Sequence, residues 1–250
     1  MRLLLLNSNT SSFVTDKVAV AARAAAQPTT EIVPVTGNFG ARIIATRTEL
    51  AIAEHATVDL IAQHAAGFDA VLIAVSYDVA LWAAREMTSI PVVGITEAAM
   101  LTACMLGTRV GVVVFGQRVL PMYQELIARH GLTARVAGWR MVDTNAPYSA
   151  GDQTEADALT LAAVNDLVTK DGAEVVVLTG AVMAGVPPRL QPHASVPLLD
   201  GISCGVRQAE LLVSLAPMKA RTGSLAPLPA RDMHEVSPAI DAFFKSNRAE

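Results

Sequence analysis

Cysteine is almost absent from this chain of 250 residues, which contains only Cys104 and Cys204. Two cysteines are too few for a disulfide framework or a zinc cluster. Both lie in apolar sequence typical of a helix interior, so we expect buried, free thiols in a reducing compartment. The histidines show no His-x-x-x-His spacing either, and the sequence therefore predicts no metal site.

Basic residues, aromatic rings and long apolar runs are also scarce. Lys and Arg number 19 against 23 Asp and Glu, and aromatic residues make up 4% of the chain. Nucleic-acid interfaces need basic patches or stacking rings, so no nucleic-acid partner is expected. No apolar run approaches the roughly 18 residues of a membrane span, and Leu3–Leu6 is too short for a signal peptide. We expect a cytoplasmic protein without a membrane partner.

Hydrophobic residues, in contrast, make up 52% of the chain, and they recur as short runs that alternate with helical sequence. This alternation predicts parallel sheets covered by helices, an α/β fold. The pattern runs through about residues 1–97 and restarts over 98–200. A further helix is predicted over 201–214, and the resemblance described below assigns it to the first half. Residues 215–250, rich in proline and charge at their start, form a predicted C-terminal extension.

Four turns with small or polar residues follow the predicted strands. Ligands of such folds bind at the carboxyl ends of the strands, so duplicated halves would bring these turns together in the cleft between them. The loop 37–46 has a length that often covers a site. The candidate substrate-binding residues in the turns are Asn7, Asn9, Thr10, Ser11, Val75, Gly116, Gln117, Thr179, Gly180 and Ala181.

Two of these turns suit an anion. The turn 7–11 offers backbone N–H groups, amides and hydroxyls at a helix start, which suits a substrate carboxylate, although it also reads as a simple N-cap. Gly116 allows close approach of a ligand to the backbone of the second turn. Arg118 either pairs with the same anion or points to solvent.

The candidate catalytic residues are Ser76, Tyr77 and Asp78, which directly follow a buried apolar run. Ser76 is the side chain that we most expect to touch a ligand, and Thr179 offers a second hydroxyl from the opposite half. Asp78 is the natural general base if it reaches inward, whereas the alternative is that it caps a helix over 79–88. The chain has no Gly-x-Gly-x-x-Gly or Gly-x-Ser-x-Gly motif, and we expect no cofactor.

Four stretches resemble the aspartate/glutamate/hydantoin racemase superfamily, in particular its hydantoin and allantoin racemase branch. They are Leu-Asn-Ser-Asn-Thr-Ser at 6–11, Phe-Asp-Ala-Val-Leu-Ile-Ala at 68–74, Ile-Pro-Val-Val-Gly-Ile-Thr-Glu-Ala-Ala-Met at 90–100 and Val-Pro-Leu-Leu-Asp-Gly-Ile at 196–202. The resemblance covers about residues 1–214. It implies two flavodoxin-like halves with pseudo-two-fold symmetry and a cofactor-free site in the cleft between them. It also implies that the helix after Asp200 returns to the first half.

The resemblance further implies proton transfer by two cysteines, one from each half. Laid over this chain, the first of those positions is Val75 and the second is Gly180, so both catalytic thiols are missing. A serine hydroxyl is a much weaker base than a thiolate. The preferred hypothesis is racemase-type proton transfer on a small carboxylate or hydantoin-like cyclic amide without that cysteine pair.

Three other functions compete with this hypothesis. One is a ring-opening hydrolase of a small cyclic amide that uses Ser76 or an activated water. Another is a non-catalytic relative that binds a small anion, and the last is a structural or assembly role. A small-molecule substrate is the expected partner in the enzyme readings, and apolar α/β halves of this kind also favour a homo-oligomer.

Overall fold

The computed structural model describes residues 1–142 and 152–246. The polar loop expected over 144–152 lies outside this part of the chain except for its last residue. In the described residues, no helix has both the length and the apolar character that a membrane span requires.

The first half alternates strands and helices as the sequence predicts. Its elements are β1 (Arg2–Asn7), α1 (Ser12–Ala25), β2 (Glu31–Thr36), α2 (Arg47–His64), β3 (Ala70–Ile73), α3 (Leu81–Met87), β4 (Val92–Gly94) and α4 (Ile95–Leu106).

The second half repeats this alternation. Its elements are β5 (Val110–Phe115), α5 (Leu120–Arg129), β6 (Val136–Val142), α6 (Thr154–Asp171), β7 (Val175–Leu178), α7 (Pro187–Leu190), β8 (Leu198–Asp200) and α8 (Gly201–Leu215), followed by α9 (Pro238–Ser246) in the C-terminal extension.

The two sheets have the same strand order, which confirms the predicted duplication. The first is ordered β2-β1-β3-β4 and the second β6-β5-β7-β8, and every pairing within them is parallel. The inner strand β1 has neighbours on both sides and helices on both faces, so Leu3–Leu6 are completely buried. Their continuous apolar run is typical of such a strand. The α/β class and the two flavodoxin-like halves are as expected.

The helices α4 and α8 link the halves by crossing between them. α4 follows the first sheet but packs on β7 and β8 of the second, whereas α8 follows the second sheet and packs on β3 and β4 of the first. The two helices also pack on each other. This exchange joins the halves into one core and holds the carboxyl ends of the strands of both sheets towards the same cleft.

The C-terminal extension packs on the first half. α9 lies against α2, and the Lys219 ammonium donates to the carbonyl oxygens of Arg85, Glu86 and Thr88 at 2.9, 2.6 and 2.6 Å, at the C-terminal end of α3. A cation is favourable at that end of a helix. The extension therefore supports α2 and α3 from the outside.

The two cysteines lie within α4 and α8, as predicted, but they differ in burial. Cys204 is buried, whereas Cys104 is only half-buried, so the expectation of two buried thiols was wrong for Cys104. Burial raises the pKa of the Cys204 thiol to about 11, which keeps it protonated near neutral pH. Neither helix position corresponds to the cysteine positions of the racemase motifs.

Candidate active site

A cavity of about 260 Å³ lies between the halves, next to the carboxyl ends of β3 and β7. Both halves and the loop 37–46 contribute to its wall. The lining residues are Asn9, Val14, Ile43, Ile44, Ala45, Ala74, Val75, Ser76, Tyr77, Phe115, Val119, Tyr123, Thr179, Gly180, Ala181 and Val182. Six sequence-derived site positions, together with Tyr77, therefore share one cavity with the covering loop.

Three hydroxyl groups meet across this cavity. The buried Tyr123 phenol, on α5, lies near the side-chain hydroxyls of Ser76 from the first half and Thr179 from the second, and both oppose the rise that burial causes in its pKa. The Thr179 hydroxyl donates to the carbonyl oxygen of Val113 at 2.8 Å, so its hydrogen is already used. The hydroxyl hydrogens of Ser76 and Tyr123 are therefore the ones that can be donated to a ligand in the cavity. We call Ser76, Tyr123 and Thr179 the hydroxyl cluster.

Burial also sets the protonation state of the two tyrosines in the wall. It raises the pKa of Tyr123 above its ordinary value, and it raises the pKa of Tyr77 in the same direction. The two rings lie against each other, with centroids 5.0 Å apart. Both phenols are therefore neutral near neutral pH and act as hydrogen-bond donors.

Asn9 adds an amide donor from the turn 7–11. Its Oδ1 accepts from Asn7 Nδ2 and from the Ser11 backbone N–H, each at 2.9 Å. With the oxygen engaged on that side, the Nδ2 group is the part of the amide that faces the cavity. Asn7 in turn donates to Thr15 Oγ1 at 2.9 Å and so fixes the turn from behind.

Some of the predicted turn residues line the cavity in the structure, and others do not. Asn9, Val75, Ser76, Thr179, Gly180 and Ala181 line the cavity. Asn7, Thr10, Ser11, Gly116 and Gln117 are not among its lining residues. Asn7 and Ser11 hold the first turn by hydrogen bonds, with Ser11 capping α1. In the second half, Phe115 and Val119 line the wall and Gln117 is exposed.

Asp78 does not cap α3, the helix that follows it. The expectation that it caps a helix over 79–88 was therefore wrong. Its carboxylate accepts from the backbone N–H groups of Thr96 and Glu97, at 2.9 and 2.8 Å, and so caps α4. His130 Nε2 lies 3.3 Å from the same carboxylate. Asp78 is 2% exposed and does not line the cavity of the hydroxyl cluster. It therefore acts in the structure as an anchor for the turn after β3.

That turn has an uncommon backbone. Asp78 has φ 47° and Ala80 has φ 53°, in the left-handed region that residues other than glycine seldom adopt. The Thr96 hydroxyl donates to the carbonyl oxygen of Ser76 and ties the turn to α4 a second time. Gly94 leaves space for it, because a Cβ there would lie 2.4 Å from Asp78 Cγ. The contacts with α4 thus fix the backbone of the turn that carries Ser76 and Tyr77.

Two features of the site were not found from the sequence. Tyr123 lies in the middle of a helix, where an aromatic residue reads as core, and only the packing of α5 brings it to Ser76 and Thr179. The loop 37–46 was recognised as a possible cover, but its lining residues, Ile43, Ile44 and Ala45, gave no separate signal.

The positions of the missing thiols lie on the cavity wall. Val75 is buried, and Gly180 has φ 98°. A side chain at Gly180 would be strained at this φ, so the backbone here is suited to glycine. Ser76 and Thr179, the neighbours of these two positions, supply hydroxyls to the cluster instead.

The two similar sheets, the exchanged helices and the hydroxyl-lined cavity between the halves define a two-half α/β protein with a candidate site at the junction of its halves. The family model described as Asp/Glu/Hydantoin racemase matches residues 3–209. The chain belongs to the Asp/Glu/hydantoin racemase family.

Several of its relatives and structural neighbours are hydantoin or allantoin racemases. The chain is 31% identical over 216 residues to a hydantoin racemase of Pseudomonas sp., with 86% of this chain and 87% of the relative covered. It is 30% identical over 226 residues to a hydantoin racemase of Paenarthrobacter aurescens, with coverage of 90% and 96%. An allantoin racemase structure from Klebsiella pneumoniae superposes with a TM-score of 0.89 at 30% identity, covering 96% and 99% of the chains.

Proposed function

We propose that this protein is a racemase of hydantoin-like cyclic amides that moves a proton at the ring carbon next to a carbonyl, without the cysteine pair. Family membership and the similarity to hydantoin and allantoin racemases support the reaction class and the substrate class. The observation that carries the proposal is the hydroxyl cluster, which joins donors from both halves at a cavity of small-molecule size.

The hydroxyl cluster suits the charge that develops when such a proton leaves. Hydroxide or a deprotonated tyrosine takes the ring proton and becomes water or phenol, which places negative charge on the neighbouring carbonyl oxygen. Water or a phenol then returns a proton to the opposite face of the planar ring carbon. Ser76 and Tyr123 have hydroxyl hydrogens that can turn to this oxygen, and the Asn9 amide adds a third donor. Donors held in place before the reaction stabilise such an oxyanion far better than water does. The protein's own part in the reaction is therefore to hold the ring and stabilise the enolate.

The two competing uses of the site have less support. A hydrolase that attacks through Ser76 needs a base beside that hydroxyl, whereas its partner is the neutral Tyr123 phenol. The nearby carboxylate, Asp78, is engaged by the N-terminus of α4. A purely anion-binding role would leave unexplained the similarity to racemases over most of the chain. Cytoplasmic location and homo-oligomer formation stay predictions from the sequence.

The pH dependence of turnover provides the first test. Among the described lining residues the ionisable side chains are Tyr77 and Tyr123, and burial raises the pKa of both above the ordinary value of about 10. The deprotonated base, whether phenolate or hydroxide, therefore becomes more abundant throughout the range from about pH 6 to pH 10. We expect the catalysed rate to rise across that range without a plateau.

This rate is measured as exchange of the ring C–H for deuterium in heavy water, followed by NMR on one enantiomer of a substituted hydantoin. The enzyme-free rate is subtracted at each pH. Loss of optical activity without formation of a new carboxylate separates racemisation from ring opening. A plateau beginning between about pH 6 and pH 8 would contradict this account, because it is the signature of a carboxyl, imidazole or activated thiol base.

Replacing Tyr123 with phenylalanine removes one phenol oxygen from the hydroxyl cluster. We expect the exchange rate to fall about 100-fold, at the lower end of what loss of one oxyanion donor costs. The same change at Tyr77, whose ring also lines the cavity but lies outside the cluster, is the matched comparison and should cost less than about tenfold. Equal losses in the two variants would remove any special role of Tyr123.

A further inference from the structure

A second cavity lies between the halves, with a volume of about 450 Å³. It is bounded by α2 and α3 of the first half and by α5 of the second. The apolar part of its wall consists of Leu50, Val58, Trp82, Ala83, Met122 and Leu126. It is larger than the cavity of the hydroxyl cluster and, like it, extends across the junction of the halves.

Tyr77 is the one described residue that lines both cavities. Its ring packs on the ring of Tyr123 at a tilt of 43°. Met122 and Tyr123 are neighbours on α5, yet Met122 lines the second cavity and Tyr123 the first. Tyr77 is therefore the residue that the walls of the two cavities share, and it stands between them.

The second cavity also has ionisable lining residues, Arg47, Glu54, His55, Asp78, Glu125 and Arg129. Its two guanidinium groups are engaged. Arg47 of α2 pairs with Glu125 of α5, both well exposed, and so bridges the halves. The Arg129 guanidinium lies over the Trp82 ring, 4.4 Å from its centre. Engaged cations around an apolar interior suit an apolar group better than an anion.

We propose that Tyr77 determines specificity by closing the substrate cavity towards this second cavity, and so limits the size of the ring substituent. This inference rests on the proposed racemase function. The first cavity, at about 260 Å³, is below the roughly 300 Å³ at which ligand pockets usually begin. It suits a five-membered ring with a short substituent. A longer arylalkyl substituent requires the space behind Tyr77.

The test compares two substrates, 5-methylhydantoin and 5-(2-phenylethyl)hydantoin, in the wild type and in Tyr77→Leu. We expect Tyr77→Leu to raise the kcat/KM ratio of the bulky to the small substrate at least tenfold, in line with the discrimination that apolar pockets achieve. Tyr77→Phe keeps the ring and should leave the ratio unchanged. Leu50→Ala enlarges the second cavity but keeps the Tyr77 side chain between the two cavities. This variant should leave the ratio unchanged as well.

Ligand binding separates a failure of this inference from a failure of the proposed function. Thermal stabilisation by each compound reports binding without turnover. If neither compound exchanges in any variant, the racemase function fails, while the size limit is still judged from binding. If the bulky compound stabilises Tyr77→Leu more strongly than the wild type, the result supports the size limit set by Tyr77. Equal stabilisation of the two proteins overturns it. Tyr77→Met, with a flexible apolar side chain, replaces the leucine variant if that variant does not fold.

Discussion

Ser76→Ala is expected to lower the rate of ring C–H exchange by about 100-fold to 1,000-fold, the loss found when one preorganised oxyanion donor is removed. Ser76 lines the cavity next to Tyr123, as a member of the hydroxyl cluster. Its backbone carbonyl is bound by Thr96, and this contact survives the substitution. The loss should therefore appear in kcat, with a smaller change in KM, because the donor acts mainly on the charge of the transition state.

The stability of this variant should change little. Only one hydroxyl is lost, and a typical hydrogen bond contributes about 1 kcal/mol. A melting temperature lowered by more than about 10 °C would mean that the loss of activity reports unfolding. Ser214→Ala, which removes an exposed hydroxyl on α8, is the matched control and should keep full activity. Unchanged turnover in Ser76→Ala would remove Ser76 from the mechanism.

Asp78→Ala is expected to destabilise the protein by about 3–5 kcal/mol, the usual cost of breaking a buried, hydrogen-bonded charge contact. The substitution leaves two N–H groups at the start of α4 without their acceptor and removes the buried partner of His130. It also places alanine at φ 47°, where aspartate is better tolerated. For a chain of this size, the melting temperature should fall by roughly 6–20 °C.

Asp16→Ala removes an exposed carboxylate from the first turns of α1 and serves as the control. Its effect should stay within about 0.5 kcal/mol. Chemical denaturation of both variants gives the free energies of unfolding directly. If Asp78→Ala were as stable as the control but inactive, the carboxylate would have to act in catalysis, and the structural account of Asp78 would be wrong.

The locations of the turns could be predicted because the positions of the strands and of their ends follow from local sequence. Apolar runs of strand length alternate with helical sequence, and parallel strands direct their carboxyl ends to one edge. Ser76 and Thr179 therefore reach the same cleft, as predicted. The division into residues 1–97 with 201–214 and 98–200 stays a prediction, although α8 does pack on the first sheet.

The errors within these turns came from side-chain directions that no local pattern determines. Asp78 was considered as a cap for the next helix because capping residues usually precede the helix they cap. The left-handed backbone at Asp78 and Ala80 instead turns the carboxylate towards α4, which lies 18 residues further on. In the same way, Gln117 is exposed while Phe115 and Val119 line the cavity.

By itself, the sequence determined the α/β class and the duplicated halves, and it showed that both thiols of the racemase motifs are missing. It also predicted the turn after β3 as the place of the site. The alternation of apolar runs and the residue types at the strand ends carry that information locally. Only the tertiary structure decided that Tyr123 completes the hydroxyl cluster with Ser76 and Thr179, that Asp78 is an anchor and that Tyr77 divides two cavities. These are contacts between distant segments, and they exist only once α4, α5 and the two sheets have packed together.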